Sequence, residues 1–274
     1  MIHQLKYTNS MGESVTFGGK ANPLFYGDVD IFNIKMAYKE IGGSIVSFEY
    51  ETTEMGLMAH VRGATQADID RIIDVLTYDR RVGKAGTLYA GQSFMRCYVA
   101  GTNVTNWHQL EGMADIELTI VSDTPVWVRK VNIELGKHNG ESIGAGNYPN
   151  NYKRNYLYSA GTSQRLTNPF MLPAKCDITI PGACVSPYVI IGNNRYQVDV
   201  TVSAGQLLII RGYGKRDVVI RHSDGTERSV FANRVRGAGA NVFAEIPVGN
   251  NVAAWSGSYN VDIAMYEERA YPVW

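Results

Sequence analysis

The sequence predicts a mainly β protein in two parts, with a single α-helix in the first. Three observations carry this. Short runs rich in β-branched and aromatic residues recur along most of the 274 residues, separated by Gly, Asn and Asp. One segment, Thr65–Arg81, instead repeats its apolar residues with a helical period. A third, Gly136–Gln164, has almost no apolar periodicity and is rich in Gly, Asn and Tyr. A stretch of that length without structure of its own is unusual inside a compact domain, so it reads as a connection. The expected division is residues 1–135, a linker at 136–165, and a second all-β domain at 166–274.

In chain order, Ile2–Tyr7 and Glu13–Phe17 are strand-like and flank TNSMG, a polar turn containing glycine. Ser44–Thr52 and Met55–Val61 follow as strands around a short polar break. In Thr65–Arg81, Ile69, Ile72, Ile73 and Leu76 recur at i, i+3, i+4 and i+7 and make one apolar stripe. Thr65 is a candidate N-cap with Asp68 three residues on, Arg80 and Arg81 suit the negative end of the helix dipole, and Gly83 can end the helix. The Asp and Arg residues of this helix are read as a solvated face. Thr87–Ala90 and Phe94–Ala100 are strands. In Asp115–Val121, Ile116, Leu118 and Ile120 point one way and Glu117 and Thr119 the other.

Within Gly136–Gln164, Asn155–Ser159 is a possible short strand. Beyond it, Cys176–Ile180, Tyr188–Ile191, Arg195–Val202, Leu207–Arg211, Val218–His222, Glu227–Phe231, Val242–Pro247 and Tyr259–Tyr266 recur at the spacing of a sandwich or barrel. GNNR before Tyr196 signals a hairpin. Asp224-Gly225 signals another, as a type I′ turn, whose central residues need positive φ.

Equal numbers of basic and acidic residues, 26 of each, leave no overall field to hold nucleic acid or an anionic membrane. MIHQLKYTNS lacks the apolar run of a signal peptide, and YVII and LLII are too short to span a bilayer, so no membrane anchor is expected and the chain is expected to fold in a cytoplasm. Cys97, Cys176 and Cys184 are odd in number and show no C-x-x-C spacing, so they are expected to be buried or half-buried free thiols.

No catalytic, cofactor-binding or metal site is expected. The histidines are His3, His60, His108, His138 and His222, and none has metal-ligand spacing. There is no G-x-S-x-G elbow and no phosphate loop; GAGAN (Gly237–Asn241) and GAGN (Gly144–Asn147) have no helix after them and are turn glycines. Asp28 with Asp30, and Asp68 with Asp70, are read as surface carboxylates. The densest charge cluster, Arg221, His222, Asp224, Glu227 and Arg228, sits on alternate strand positions around a tight turn and is read as solvated. Tyr148, Tyr152, Tyr156 and Tyr158, beside Lys153 and Arg154, could stack on sugars or line an interface; covering strand ends is the plainer use.

The order of elements carries more than any single motif. ADIELTIVSDTPVWVRK (Ala114–Lys130) is an alternating strand that must stop at Pro125, which cannot donate to a ladder. It resembles the end of the N-terminal domain of siphophage distal tail proteins (Dit), where a strand meets an Asp-Pro-aromatic turn; here Thr124 is inserted between Asp123 and Pro125. IHQLKYTNSMGESVTFGG (Ile2–Gly19), the loop NPLFYGDVDI and the helix after it are similar in order to that domain. Thr167–Ile210 resembles the start of the family's galectin-like sandwich. The resemblance implies a β-sandwich-like N-terminal domain with one helix, followed by a C-terminal galectin-like β-sandwich.

It also implies a non-enzymatic virion protein of the tail tip or baseplate, assembled in the host bacterial cytoplasm. N-terminal domains of such proteins build a hexameric ring between the tail tube protein and the tail-associated hub protein. C-terminal domains carry receptor-binding or baseplate proteins, and DNA passes through the channel without specific binding. A neutral chain is compatible with that passage. The Asn22–Phe32 loop and the helix are expected near subunit contacts. Two alternatives stand beside this: a carbohydrate-binding adhesion module, for which Trp255 is available, and a tail-tube or ring subunit of a related particle.

Overall fold

A computed structural model describes residues 4–18, 24–31, 36–63, 65–108, 110–136 and 162–273. The chain forms two compact units: Met1–Arg129 with Glu268–Trp274, and Lys130–Glu267. The expected strand at Asn155–Ser159 lies outside the described residues.

The first unit contains β1 (Leu5–Thr8), β2 (Ser14–Phe17), β3 (Leu24–Val29), β4 (Met36–Ile41), β5 (Ser44–Tyr50), β6 (Thr53–Arg62), α1 (Gln66–Val82), β7 (Gly86–Ala90), β8 (Ser93–His108), β9 (Met113–Ser122) and the first residues of β10 (Trp127–Leu135). Its longest strand, β8, serves three neighbours: Ser93–Cys97 pair with β7, Ser93 and Phe94 also pair with Arg129 and Val128 of β10, and the stretch from Tyr98 to His108 pairs with β9. The ladder then runs from β9 to β6 and β3 on one side and from β7 to β1 and β2 on the other. Alternation does what the sequence predicts. Ile116, Leu118 and Ile120 of β9 are buried with Met55, Leu57, Ala59 and Val61 of β6 and Met95, Cys97 and Val99 of β8.

Helix α1 begins and ends as its residues dictate. The Thr65 side chain accepts from the Asp68 N–H, and the Asp68 carboxylate accepts from the Thr65 N–H at 2.8 Å, closing the capping box. Gly83 ends the helix in the left-handed conformation (φ 66°). Ile69, Val75 and Leu76 are buried. One expectation is corrected here: Asp79 is not on the solvated face but fully buried. It lies three residues past Leu76, on the buried stripe, and its carboxylate accepts from the Tyr7 hydroxyl (2.6 Å) and the Ser10 N–H (2.8 Å). That clasp fixes the β1–β2 turn, whose own shape is set by the Asn9 Oδ1 accepting from the Met11 and Glu13 N–H groups. Gly86 faces the clasp, and a Cβ there would overlap the Asp79 carboxylate and the Tyr7 hydroxyl. Gly86→Ala is therefore expected to destabilise the first unit by about 2 kcal/mol in urea denaturation, as overpacking does.

Pro125 breaks the chain as predicted: β9 ends at Ser122 and β10 starts at Trp127. The Trp127 indole is buried and donates to the Ile31 carbonyl at 3.2 Å. The C-terminal residues belong to this unit too. Gln92 donates to the Val273 carbonyl and Val273 to the Ser93 hydroxyl, each at 2.8 Å.

The second unit contains the rest of β10, then β11 (Thr162–Asn168), β12 (Lys175–Pro181), β13 (Cys184–Val185), β14 (Tyr188–Ile191), β15 (Asn194–Gln197), β16 (Thr201–Val202), β17 (Leu207–Arg211), β18 (Asp217–Arg221), β19 (Glu227–Ser229), β20 (Gly249–Trp255) and most of β21 (Val261–Arg269). Strands β19-β18-β17-β12-β21-β10 form one sheet and β11-β20-β14-β15 the other. One core cluster joins them, with Ile178, Ile180, Leu208, Ile210, Val218 and Ile220 from the first sheet and Leu166, Val189, Ile191 and Trp255 from the second. That is a β-sandwich.

Several elements depart from expectation. Val242–Pro247 is not a strand; only Ile246 bridges, to Ala174. Arg195–Val202 breaks at residues 198–200, where the Val200 N–H turns back to the Val198 carbonyl. Strands β3, β4, β10, β11, β13 and β20 appear where none is expected; β3 takes up Leu24–Val29 of the expected Asn22–Phe32 loop, because it pairs with β6. Asp224-Gly225 is not a type I′ turn. Gly225 donates to the His222 carbonyl and His222 to the Thr226 carbonyl, and Gly225 alone has a positive φ (85°). The turn therefore spans Ser223 and Asp224 with glycine at the left-handed position after it. The GNNR hairpin is present, with Ile191 opposite Asn194 and Gly192 left-handed.

Candidate functional site

The charge cluster after β18 separates into unrelated roles. Arg221 and Glu227 face each other across the hairpin, and the Glu227 carboxylate accepts from Arg221 Nε (3.0 Å) and Nη2 (2.8 Å) and from Arg211 Nη2 (2.5 Å). Asp217 adds a second carboxylate 3.8 Å from Arg211. His222 instead bonds to Gln206, and Asp224 caps its own turn by accepting from the Thr226 N–H and hydroxyl. No nucleophile or base is brought together there. The Arg211 and Arg221 hydrogen bonds pull the Glu227 carboxyl from an ordinary 4.5 down to about 2. A depressed carboxyl pKa adds stability above the unfolded value and loses it as pH falls towards the folded one. Stability of the second unit is thus expected to fall between about pH 4.5 and 2, and Glu227→Gln to flatten that slope in thermal melts run across the window.

His60 Nδ1 lies 2.6 Å from Asp115 Oδ1 on adjacent strands, and Asn106 donates to the other Asp115 oxygen at 3.1 Å. The His60 hydrogen bond, and after it that of Asn106, hold the Asp115 carboxyl below the usual range. Cys97 and Cys176 are buried, which pushes each thiol up to about 12; Cys184 is half-buried. Asp30 and Asp70 are exposed and Asp68 is used by the helix cap. GAGAN is a turn in which Gly237 and Ala240 exchange hydrogen bonds. Among the described residues, no group of three His, Cys, Asp or Glu side chains could hold a metal. His3, His138, Gly144–Asn147, the Asp28 side chain and the four linker tyrosines lie outside the described residues.

An open cleft of about 630 Å³ lies on the outward face of the six-stranded sheet of the second unit. Thr179, Ile209 and Ala264 are among its lining, with Arg211 and Arg221 from one group of strands and Glu134 and Asp262 from the other. Tyr266, which also lines it, is fixed by its hydrogen bond to Asp177, another lining residue (2.8 Å), and by stacking on Tyr213 (centroids 4.3 Å apart). Trp255, proposed from sequence as a sugar platform, is not available. It is buried between the sheets and donates to the Tyr259 carbonyl at 3.0 Å.

An exposed apolar surface lies in the first unit. Among the described residues, strands β4 and β5 pair only with each other. Cross-strand register sets Met36 opposite Tyr50 and Tyr38 opposite Phe48, so these four share one face, while Ala37, Lys39, Ser47 and Glu49 take the other. The face is apolar, yet Tyr38 is 62% and Phe48 60% exposed. A lone two-stranded hairpin is marginal in water and an apolar patch on it marks a contact surface. Gly42-Gly43, both left-handed between the paired Ile41 and Ser44, is the two-residue signal of this hairpin. Its first strand, Met36–Ile41, reads MAYKEI, with little β-branching to mark it as one.

No family model and no curated protein sequence matches the chain. Solved structures do match its fold. The Dit (gp 19.1) protein of phage SPP1, described as a paradigm of hub adsorption apparatus in phages infecting Gram-positive bacteria, is 11% identical and matches with a TM-score of 0.54, over 98% of this chain and 100% of that one. A chain of the phage P2 baseplate in its activated conformation with Ca is 13% identical, with a TM-score of 0.61 over 99% and 100%. The activated P2 baseplate with Sr gives 13%, 0.60, 99% and 100%. The match runs through both units, and at these identities what it shows is a shared fold.

Proposed function

We propose that this chain is a structural, non-catalytic component of a phage tail baseplate: a distal tail protein of a long-tailed phage or prophage. The observation that carries the reading is the end-to-end fold match with the SPP1 Dit protein and with a P2 baseplate chain, which leaves neither unit of this chain unaccounted for. In this reading the first unit builds a hexameric ring at the tail tip. One side of the ring meets the tail tube protein and the other the hub protein, and DNA passes through the bore. The second unit carries baseplate or receptor-binding proteins. The bare apolar face of the β4–β5 hairpin supports self-assembly, because a ring subunit must offer its neighbours complementary surfaces.

Antibody or gold labelling of an epitope tag on the C-terminus, viewed by negative-stain microscopy of particles, tests the placement. Label confined to the end of the tail distal from the head is the expected result. Label along the tube would move the chain to the tube-subunit reading, and unlabelled particles would remove it from the virion.

A further inference from the structure

We propose that the open cleft on the outward face of the six-stranded sheet in the second unit is a binding site for a neutral glycan. The site stands apart from the baseplate reading and does not depend on where the chain is displayed. Its shape follows from the outward side chains. Cross-strand register places Asp262, Thr179 and Ile209 in one row and Ala264, Asp177 and Arg211 in the next. Thr179 and Ala264 are short, and Ile209 is buried although it stands outside the core cluster between the sheets. These three make a low, partly apolar floor, with longer side chains on either side. The volume, about 630 Å³, is that of a small-molecule site.

The two sides offer opposite hydrogen-bonding halves. Arg211 and Arg221 are held in place by Glu227 through Arg211 Nη2 and through Nε and Nη2 of Arg221. Among the described residues, Arg211 Nε and Arg221 Nη1 make no hydrogen bond, so fixed donors remain. Across the floor, Glu134 and Asp262 form no hydrogen bond or ion pair among the described residues, so acceptors remain there. Partial burial, and after it the Glu134 charge, hold the Asp262 carboxyl above the usual range, as expected of carboxylates that no cation answers.

This lining selects its ligand. Lys130, Arg211 and Arg221 are matched in number by Glu134, Asp177 and Asp262, so net charge on a ligand gains nothing. An anion meets Glu134 and Asp262, and a cation meets the arginines. A sugar hydroxyl both donates and accepts, so neighbouring hydroxyls can take hydrogen bonds from a guanidinium and give them to a carboxylate, with the C–H face of the ring on Ile209 and Ala264. A peptide strand is disfavoured, because β12, β17 and β21 are each paired on both sides and leave no main-chain groups for strand addition.

The test uses the purified full chain on a printed array of neutral glycans and their sulfated, phosphorylated and uronic acid counterparts. Saturation-transfer NMR and titration calorimetry follow with the neutral glycan that binds best. The expected result is retention of neutral glycans, no gain for the anionic counterparts, and an affinity that added salt leaves unchanged. Glu134→Ala with Asp262→Ala is expected to weaken binding at least about tenfold, and Ala264→Trp, which fills the floor, to abolish it. Circular dichroism and melting temperature show whether each variant is folded; if Ala264→Trp is not, the carboxylate pair decides alone. No neutral glycan bound on the array or in solution, binding confined to anionic glycans, or neutral binding that survives in the folded variants would each overturn the site. Because binding is read on the isolated chain, such a result leaves the baseplate reading as it stands.

Discussion

Asp79→Ala is expected to be the most destabilising single change in the first unit. The carboxylate is fully buried and holds the Tyr7 hydroxyl at 2.6 Å and the Ser10 N–H at 2.8 Å. Removing it strands a buried phenol and a backbone donor while opening space against Gly86. Hydrogen bonds to a charged acceptor contribute about 1.5–3 kcal/mol each, and a stranded buried donor costs about 1–3. A loss of about 3–4 kcal/mol follows, or roughly 10 °C in melting temperature for a unit of this size. Tyr7→Phe should cost less, about 1–2 kcal/mol, since it leaves Ser10 satisfied. Urea denaturation followed by tryptophan fluorescence checks both. Because Asp79 ties helix α1 to the β1–β2 turn, hydrogen exchange at Asn9–Glu13 should quicken more than at β9. Uniform exchange, with a melting change under about 2 °C, would show that the clasp is incidental.

Trp255→Ala is expected to have a comparable effect on the second unit. The indole is 1% exposed, sits between the two sheets and donates to the Tyr259 carbonyl. Truncating a buried tryptophan costs about 3–5 kcal/mol, from lost transfer energy and from the cavity left behind. Trp255→Phe keeps most of the ring volume but strands the Tyr259 carbonyl, so about 2 kcal/mol is expected. The measurement also separates two views of this residue. A sugar platform would lose ligand and keep its stability, whereas a core residue loses stability. Differential scanning calorimetry of the full chain should show the transition of the second unit moving down while that of the first stays in place.

Much of the fold is legible because it depends on local pattern. The stripe of Ile69, Ile72, Ile73 and Leu76, the cap at Thr65 and the stop at Gly83 give the helix within a residue, since each is a short-range rule of backbone chemistry. Tyr188–Ile191 and Leu207–Arg211 are read to the residue because both are dense in branched apolar side chains between turn glycines or asparagines. β20 is missed for the opposite reason. Gly249, Asn250 and Asn251 look like a turn, and only pairing with β11 and β14 makes them a strand. The hairpin at Asp224-Gly225 is present, but its turn lies one residue earlier and is of another type, because loop length is set by where Arg221 and Glu227 pair. The order of elements carries the resemblance. The two-sheet sandwich of the second unit agrees with that order, whereas composition alone would give only a β-rich protein.

The sequence by itself determined the periods, the caps and the breaks: which segments alternate, where α1 starts and stops, and that Pro125 ends β9. These need only the geometry of a few consecutive residues. Tertiary structure alone decided which charged groups are buried and which apolar ones are bare. Asp79 is inside because Tyr7 and Ser10, some seventy residues earlier, offer hydrogen bonds that replace its water. Phe48 is outside because, among the described residues, β5 pairs only with β4 and no third strand or second sheet covers their common face. Burial depends on partners brought from far along the chain, and local pattern does not say which partners arrive.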